Sequence, residues 1–183
     1  MNKRHVVTMY GTGGQGVLLI GQILAKSACK VFKHVTWSPM YDFAKRGGTS
    51  ECVVGFSNDE ITSPWISQGD TVIAFDTSKL DLIETKVRPG GKMIVESINL
   101  GKGITRTDIG LVEVPALTTA TKLGNSKSAN LVLLGAYVAV ERVVPPEVIE
   151  TMLGQMIPGN EEQKWINLEA FRKGMQIVEA KGR

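Results

Sequence analysis

The sequence holds only two cysteines, Cys29 and Cys52, far apart and in no CxxC pair. A cubane iron–sulfur cluster needs about four thiolates, so this chain cannot supply one alone. Two isolated cysteines suit a reducing cytoplasm, as small apolar residues. The two histidines, His5 and His34, have no Cys, Asp or Glu at metal-ligand spacing, and both read as structural. Neither GxSxG nor HExxH occurs, so the common hydrolase and zinc-protease signatures are missing. Apolar runs last only a few residues, far short of a membrane span. The start MNKRHVVTMY has no hydrophobic core segment and no small-residue cleavage site, so a signal peptide is not expected. A net charge of +3 is too small to mark a polyanion binder. Lys26, Lys30 and Lys33 fall on one side of a helix and its exit, without interleaved aromatics; they read as a solvated face, not a nucleic-acid patch. What remains is an ordinary balance for one soluble domain spanning 1–183, with 43% hydrophobic and 21% charged residues.

Alternating element signals dominate the chain. His5–Tyr10 is a β-rich run ending at glycine, and Val17, Ile20, Gly21, Leu24 and Ala28 line one helix face. Gly21 on that face invites close approach by a neighbouring backbone. His34–Trp37 predicts a second strand, SPMYDFAKRGGTS an irregular stretch, and ECVVGF a third strand. Thr71–Asp76, TVIAFD, is the clearest strand. Helix-like sequence follows to Val87, Pro89-Gly90-Gly91 predicts a turn, and KMIVE and Leu111–Pro115 predict strands. Leu131, Leu134, Gly135 and Val138 form another helical stripe, and Pro146 suits the first residue of a helix ending near Gly154. Leu168, Phe171, Met175 and Val178 line a last helix. Strands alternating with helices predict an α/β fold: three layers, a mostly parallel Rossmann-like sheet with helices on both faces, and a helical C-terminal part.

The first chemical motif is GTGGQG, Gly11-Thr12-Gly13-Gly14-Gln15-Gly16, between a predicted strand and a predicted helix. Glycines there allow a sharp turn and bring backbone N–H groups at a helix N-terminus close to an anion. A dinucleotide fold also needs an acid at the end of the second strand to hold ribose hydroxyls. That strand ends Val35-Thr36-Trp37-Ser38-Pro39, with neither an acid nor an arginine, and Asp42 lies beyond the proline. NAD, NADP or FAD binding therefore loses its usual partner residue. A tight strand–helix joint, or an anion other than a dinucleotide, stays open.

The second motif runs from Tyr41 through Arg46-Gly47-Gly48. It follows the second strand and so starts at the same carboxyl edge of the sheet as the glycine loop. Arg46 beside two glycines offers a planar fork next to exposed amides, an anion or carboxylate clamp; an arginine that ties its own loop is the alternative. Asp76 closes the clearest strand, where a bond to its own turn or a helix cap is the expected role. No catalytic set is expected.

In order, GTGGQG with VLLIGQILA, then TWSPMYDFAKRGGTSECVVGFSNDEITSP, RPGGKMIVE and PALTTATKLGNSKSANLVLLGAYV resemble the γ subunit of 2-oxoacid:ferredoxin oxidoreductases, as do Asn167, Ala170 and Gly174. The similarity covers nearly the whole chain. It implies a role in oxidative decarboxylation of a 2-oxo acid to an acyl-CoA, which such complexes carry out with thiamine diphosphate, Mg, iron–sulfur clusters and CoA, passing electrons to ferredoxin. It implies α, β and δ (ferredoxin-like) subunits as partners, neither nucleic acid nor membrane, and leaves a homodimer open to the isolated chain. The γ part is expected to bind no cofactor firmly by itself, to pack against the thiamine-binding subunits and to serve CoA access. Matched to the family, the cofactor-binding candidates are Gly11, Thr12, Gly13, Gly14, Gln15 and Gly16, then Tyr41, Arg46, Gly47 and Gly48, with no catalytic residue and no metal ligand. Asp42, Phe43 and Ala44 replace the family's usual Gly-Pro-Glu, so the acid two positions before the arginine is absent. Pyruvate, 2-oxoglutarate, branched-chain and indolepyruvate enzymes share such chains, with 2-oxoglutarate or a related acid favoured. The alternatives are a free-standing NAD(P)- or FAD-dependent reductase and a purely structural scaffold. Calorimetry on the isolated chain separates the first of these: NAD(H), NADP(H) and FAD are expected to give no saturable micromolar binding.

Overall fold

The computed structural model describes residues 4–41, 48–62, 67–98, 100–101 and 103–181, with Tyr41 described by its backbone alone. In chain order the elements are β1 (His5–Thr12), α1 (Val17–Ala28), β2 (His34–Tyr41), β3 (Thr49–Ser57), β4 (Gly69–Ala74), α2 (Leu80–Ile83), β5 (Val87–Glu96) and β6 (Gly110–Val114). Then come α3 (Ala116–Lys122), α4 (Ala129–Glu141), α5 (Pro146–Met156) and α6 (Glu161–Lys181). The strands form one six-stranded sheet in the order β2-β3-β1-β4-β5-β6.

The expected α/β architecture is present, with one departure in strand direction. β1, β4, β5 and β6 pair in parallel, whereas β3 runs antiparallel to both β1 and β2. Parallel neighbours need a long crossover, and residues 42–48 between β2 and β3 are too few for one. The sheet is therefore mixed. β2 still points the same way as β1, so the two glycine motifs leave the sheet at one edge.

Strict alternation divides the side chains between two layers. Val7 and Met9 of β1, Cys52, Val54 and Phe56 of β3, Ile73 of β4 and Ile94 of β5 face the main core with Ile20, Leu24, Leu131, Leu134 and Phe171 of the large helices. Tyr10, Val72, Ala74, Met93 and Val95 face the other way, against Leu80 and Ile83 of α2 and Ile109. Helices thus lie on both faces, though unequally. His5 is structural as expected, its ring stacked on Phe56 with centroids 5.6 Å apart.

Several local expectations needed correction. Ser38–Tyr41 continues β2 and Thr49 and Ser50 open β3, because pairing with β3 extends the second strand beyond its propensity. Helix-like sequence after Asp76 yields only the short α2 and a 3₁₀ turn over Glu84–Lys86. Pro89-Gly90-Gly91 does not turn the chain; it bulges within β5, whose pairing jumps from Val87 opposite Gly69 to Lys92 opposite Thr71. Gly90 takes φ 71° there, a conformation that suits glycine. At Gly21 the close neighbours are the side chains of Cys52 and Trp37, not a backbone.

The helical layer is fixed where α4 crosses α6. A Cβ on Gly135 would strike the Phe171 carbonyl oxygen, and one on Gly174 would strike the Val132 carbonyl oxygen. The two backbones therefore meet without intervening side chains. The sheet's outer strands carry their own guards: Pro39 sits in β2, and Lys181 Nζ donates to the Glu113 carbonyl of β6 at 2.8 Å. Pro removes a donor and a lysine covers an acceptor, both ways of blunting an edge.

On the thinner face, Glu84 is buried and its carboxylate accepts from Thr105 N at 2.7 Å, from the Thr105 hydroxyl and from Arg106 N at 3.4 Å. The Thr105 hydroxyl bond, joined by the backbone bonds and the Arg106 charge, holds this carboxyl below its ordinary value despite desolvation. A depressed native value supplies stability that is complete above the ordinary glutamate range and is lost as pH falls through the native value. Glu84→Gln should flatten the acid limb of a stability-versus-pH curve from urea denaturation while lowering stability at neutral pH.

Candidate functional site

β1 carries Gly11 and Thr12 within the strand, so the loop proper is Gly13–Gly16. Gly14 at φ 95° and Gly16 at φ 77° are left-handed, which an L side chain resists. Gly11 is small for a packing reason: a Cβ would lie 2.5 Å from Gln15 Oε1 and 2.8 Å from Val17 Cγ2. The Gln15 side chain is braced within the fold. Its Oε1 accepts from Thr12 N at 2.8 Å and its Nε2 donates to the Phe75 carbonyl at 3.4 Å, which ties the loop to the end of β4. Gln15 N donates to the Thr12 carbonyl at 3.2 Å, closing the turn.

The two motifs meet. Gly13 N donates to the Gly48 carbonyl at 3.0 Å, so the second loop's last glycine rests on the first loop. Tyr41 ends β2 at the same edge. Asp42, Phe43, Ala44, Lys45, Arg46 and Gly47 lie outside the described residues, and the side chain of Tyr41 likewise. The structure thus brings Gly48 to the first loop and leaves the Arg46 expectation where the sequence put it.

A residue absent from the expectations completes the loop. Asn130, in the first turn of α4, donates Nδ2 to the Gln15 carbonyl at 3.3 Å, and a Cβ on Gly16 would strike that same Nδ2. No local sequence signal reveals this pairing, because 115 positions separate the two residues. The neighbouring network is also polar: Asn125 Nδ2 donates to Ser128 Oγ at 2.9 Å, and Ser128 Oγ donates to Asn167 Oδ1 at 2.8 Å. That gives Asn167, singled out in the sequence, a structural task.

Between the loop and α4 opens a cleft of about 560 Å³. It lies over the carboxyl ends of β1, β4 and β5, where the chain order reverses between β1 and β4. Open α/β sheets bind ligands at such a switch point. Gly14, Gln15, Asp76, Ser78, Lys127 and Asn130 line its polar part, and Phe75, Ile98, Leu117 and Leu133 its apolar part. Asp76 behaves as expected, its Oδ1 accepting from Ser78 N at 2.8 Å. Glu96, which the sequence did not single out, is buried and bonded to the amides of Ile98 at 3.0 Å and Leu117 at 2.7 Å.

The chemistry on offer is anion recognition. α1 begins at Gly16 with no side-chain cap and no acid in its first turn, so its first amides and its dipole are open to a negative group. Among the described residues no group of three or more His, Cys, Asp or Glu could hold a metal ion. Cys52 is a poor thiolate donor: it is buried, accepts from Trp37 Nε1 at 2.9 Å, and burial pushes its thiol up to about 12. No helix among the described residues is long and apolar enough to cross a membrane.

Comparison with known proteins adds a family. The model for pyruvate ferredoxin/flavodoxin oxidoreductase matches residues 6–177. The ketoisovalerate oxidoreductase subunit VorA of Methanothermobacter marburgensis is 35% identical over 134 residues, 73% of this chain. The chain spans 28% of the length of that relative. The 2-oxoglutarate synthase subunit KorC of Methanocaldococcus jannaschii is 28% identical over 97% of this chain and 98% of its own. Among solved structures, the γ subunit of a keto/oxoacid ferredoxin oxidoreductase from Geobacter sulfurreducens superposes with a TM-score of 0.82, at 28% identity over 96% of this chain and 99% of that one.

Gly14 and Gly16 make a graded test of the loop. Gly14→Ala meets no neighbour and should cost only backbone strain, about 1–2 kcal/mol. Gly16→Ala adds the collision with Asn130 and should cost about 1–3 kcal/mol more, read from denaturant midpoints.

Proposed function

The chain belongs to the pyruvate ferredoxin/flavodoxin oxidoreductase family, and from that premise we propose that it is the γ subunit of a 2-oxoacid:ferredoxin oxidoreductase. Such a complex converts a 2-oxo acid to an acyl-CoA, with thiamine diphosphate, Mg and iron–sulfur clusters on its other subunits supplying carbanion and electron chemistry. This chain works with α, β and δ partners in the cytoplasm, and 2-oxoglutarate or a related 2-oxo acid is its favoured substrate. The similarity to KorC covers 97% of this chain, which supports the γ-subunit reading.

Its own part is to receive CoA at the carboxyl-edge cleft. The observation that carries this reading is the cleft's division. One side holds Gly14 and Gln15 of the glycine loop, which lead into the uncapped start of α1, together with Lys127; the other holds Phe75, Ile98, Leu117 and Leu133. Amides and an ammonium suit phosphate, and an apolar wall suits a pantetheine arm. Gly11, Thr12 and Gly13 act by shaping the loop, Gly14 and Gly16 by offering amides, and Gln15 by bracing it. Tyr41, Arg46, Gly47 and Gly48 belong to the second loop, with Arg46 the phosphate or carboxylate clamp.

A second reading, a scaffold whose loops contact only protein, draws on the Gly13 to Gly48 bond, which uses a loop amide internally. One experiment separates them. In the assembled complex, Lys127→Ala and Arg46→Ala should each raise the KM for CoA about tenfold, with kcat and subunit assembly kept. An unchanged KM in both would leave the scaffold.

A further inference from the structure

We propose that Asn130 is a positioning residue of the cleft, holding the amides at the start of α1 in the arrangement that receives the phosphate of CoA; this rests on the CoA reading above. The glycine loop is tied at three points. Gln15 fastens it to β4 through Phe75, Gly13 fastens it to the second loop through Gly48, and Asn130 fastens it to α4 through the Gln15 carbonyl. Only the third tie acts where the open amides lie. Gly16 is the residue that caps α1, in the left-handed region at φ 77°, and the Asn130 amide occupies the space where its Cβ would be. One atom, Asn130 Nδ2, thus holds the peptide between Gln15 and Gly16, by its donated bond and by its contact over Gly16.

The lever behind that side chain is rigid. Asn130 stands in the first turn of α4, whose start is held by the Asn125, Ser128 and Asn167 network and whose middle is pressed backbone to backbone on α6 through Gly135 and Gly174. A half-buried amide on an immobile helix can set a loop's conformation in advance of binding, so that the ordering cost is not charged to the ligand. Asn130 also lines the cleft itself, so a negative charge at this position would face the incoming anion.

The test uses the assembled complex with Asn130→Ala, Asn130→Asp and Lys127→Ala. Asn130→Ala should raise the KM for CoA about tenfold at unchanged kcat and unchanged subunit composition. Asn130→Asp keeps the shape but loses the donor and adds charge, so its KM should rise further, with the excess shrinking at high salt. A merely structural role moves assembly or melting temperature and leaves the KM of the isosteric Asp variant at the wild-type value, which would overturn the proposal even if the Ala variant fails to fold. An unchanged KM in both Asn130 variants beside a raised one in Lys127→Ala would sink Asn130 alone. Unchanged values in all three would sink the CoA reading with it.

Discussion

Gly135 and Gly174 face each other where α4 crosses α6, and neither backbone leaves room for a methyl group. The constraint is steric and absolute at that point, unlike the graded hydrophobic contacts around it. It fixes the depth at which α4 lies over the sheet, since Leu131, Leu134 and Val138 of α4 then reach the main core. It also fixes where the first turn of α4 arrives beside the glycine loop. The C-terminal helix, remote from the loop in sequence, therefore governs the geometry of the N-terminal motif through two glycines and one asparagine.

Much of this could be read before any coordinates. β1 and α1 followed from a β-rich run and a helical stripe either side of GTGGQG, and the strand after Gly69 from a run of β-branched residues. α5 began at the predicted proline, because a residue without an N–H belongs where the helix has no use for one. The antiparallel course of β3 was not legible, since strand direction depends on tertiary pairing and not on local composition. Nor was the bulge at Gly90, where proline and glycines imitate a turn inside a strand.

The site divided in the same way. The glycines of the first loop announce a close approach, and the structure names what approaches: Gln15 and Val17 at Gly11, Asn130 at Gly16. A local motif can state that space is needed without stating who fills it. Asn130, Lys127 and Glu96 come from distant segments, and only the fold gathers them around one cleft. The missing ribose acid after the second strand is legible as a gap, and it removes the usual dinucleotide partner of such a loop.

Pro39 on one outer strand and the Lys181 ammonium over the other leave the sheet poorly suited to lengthening by a neighbour's strand. Edges guarded in this way favour joints made by side chains over shared backbone ladders. Such joints can be remodelled one side chain at a time, while a continuous intermolecular sheet would commit the whole register at once.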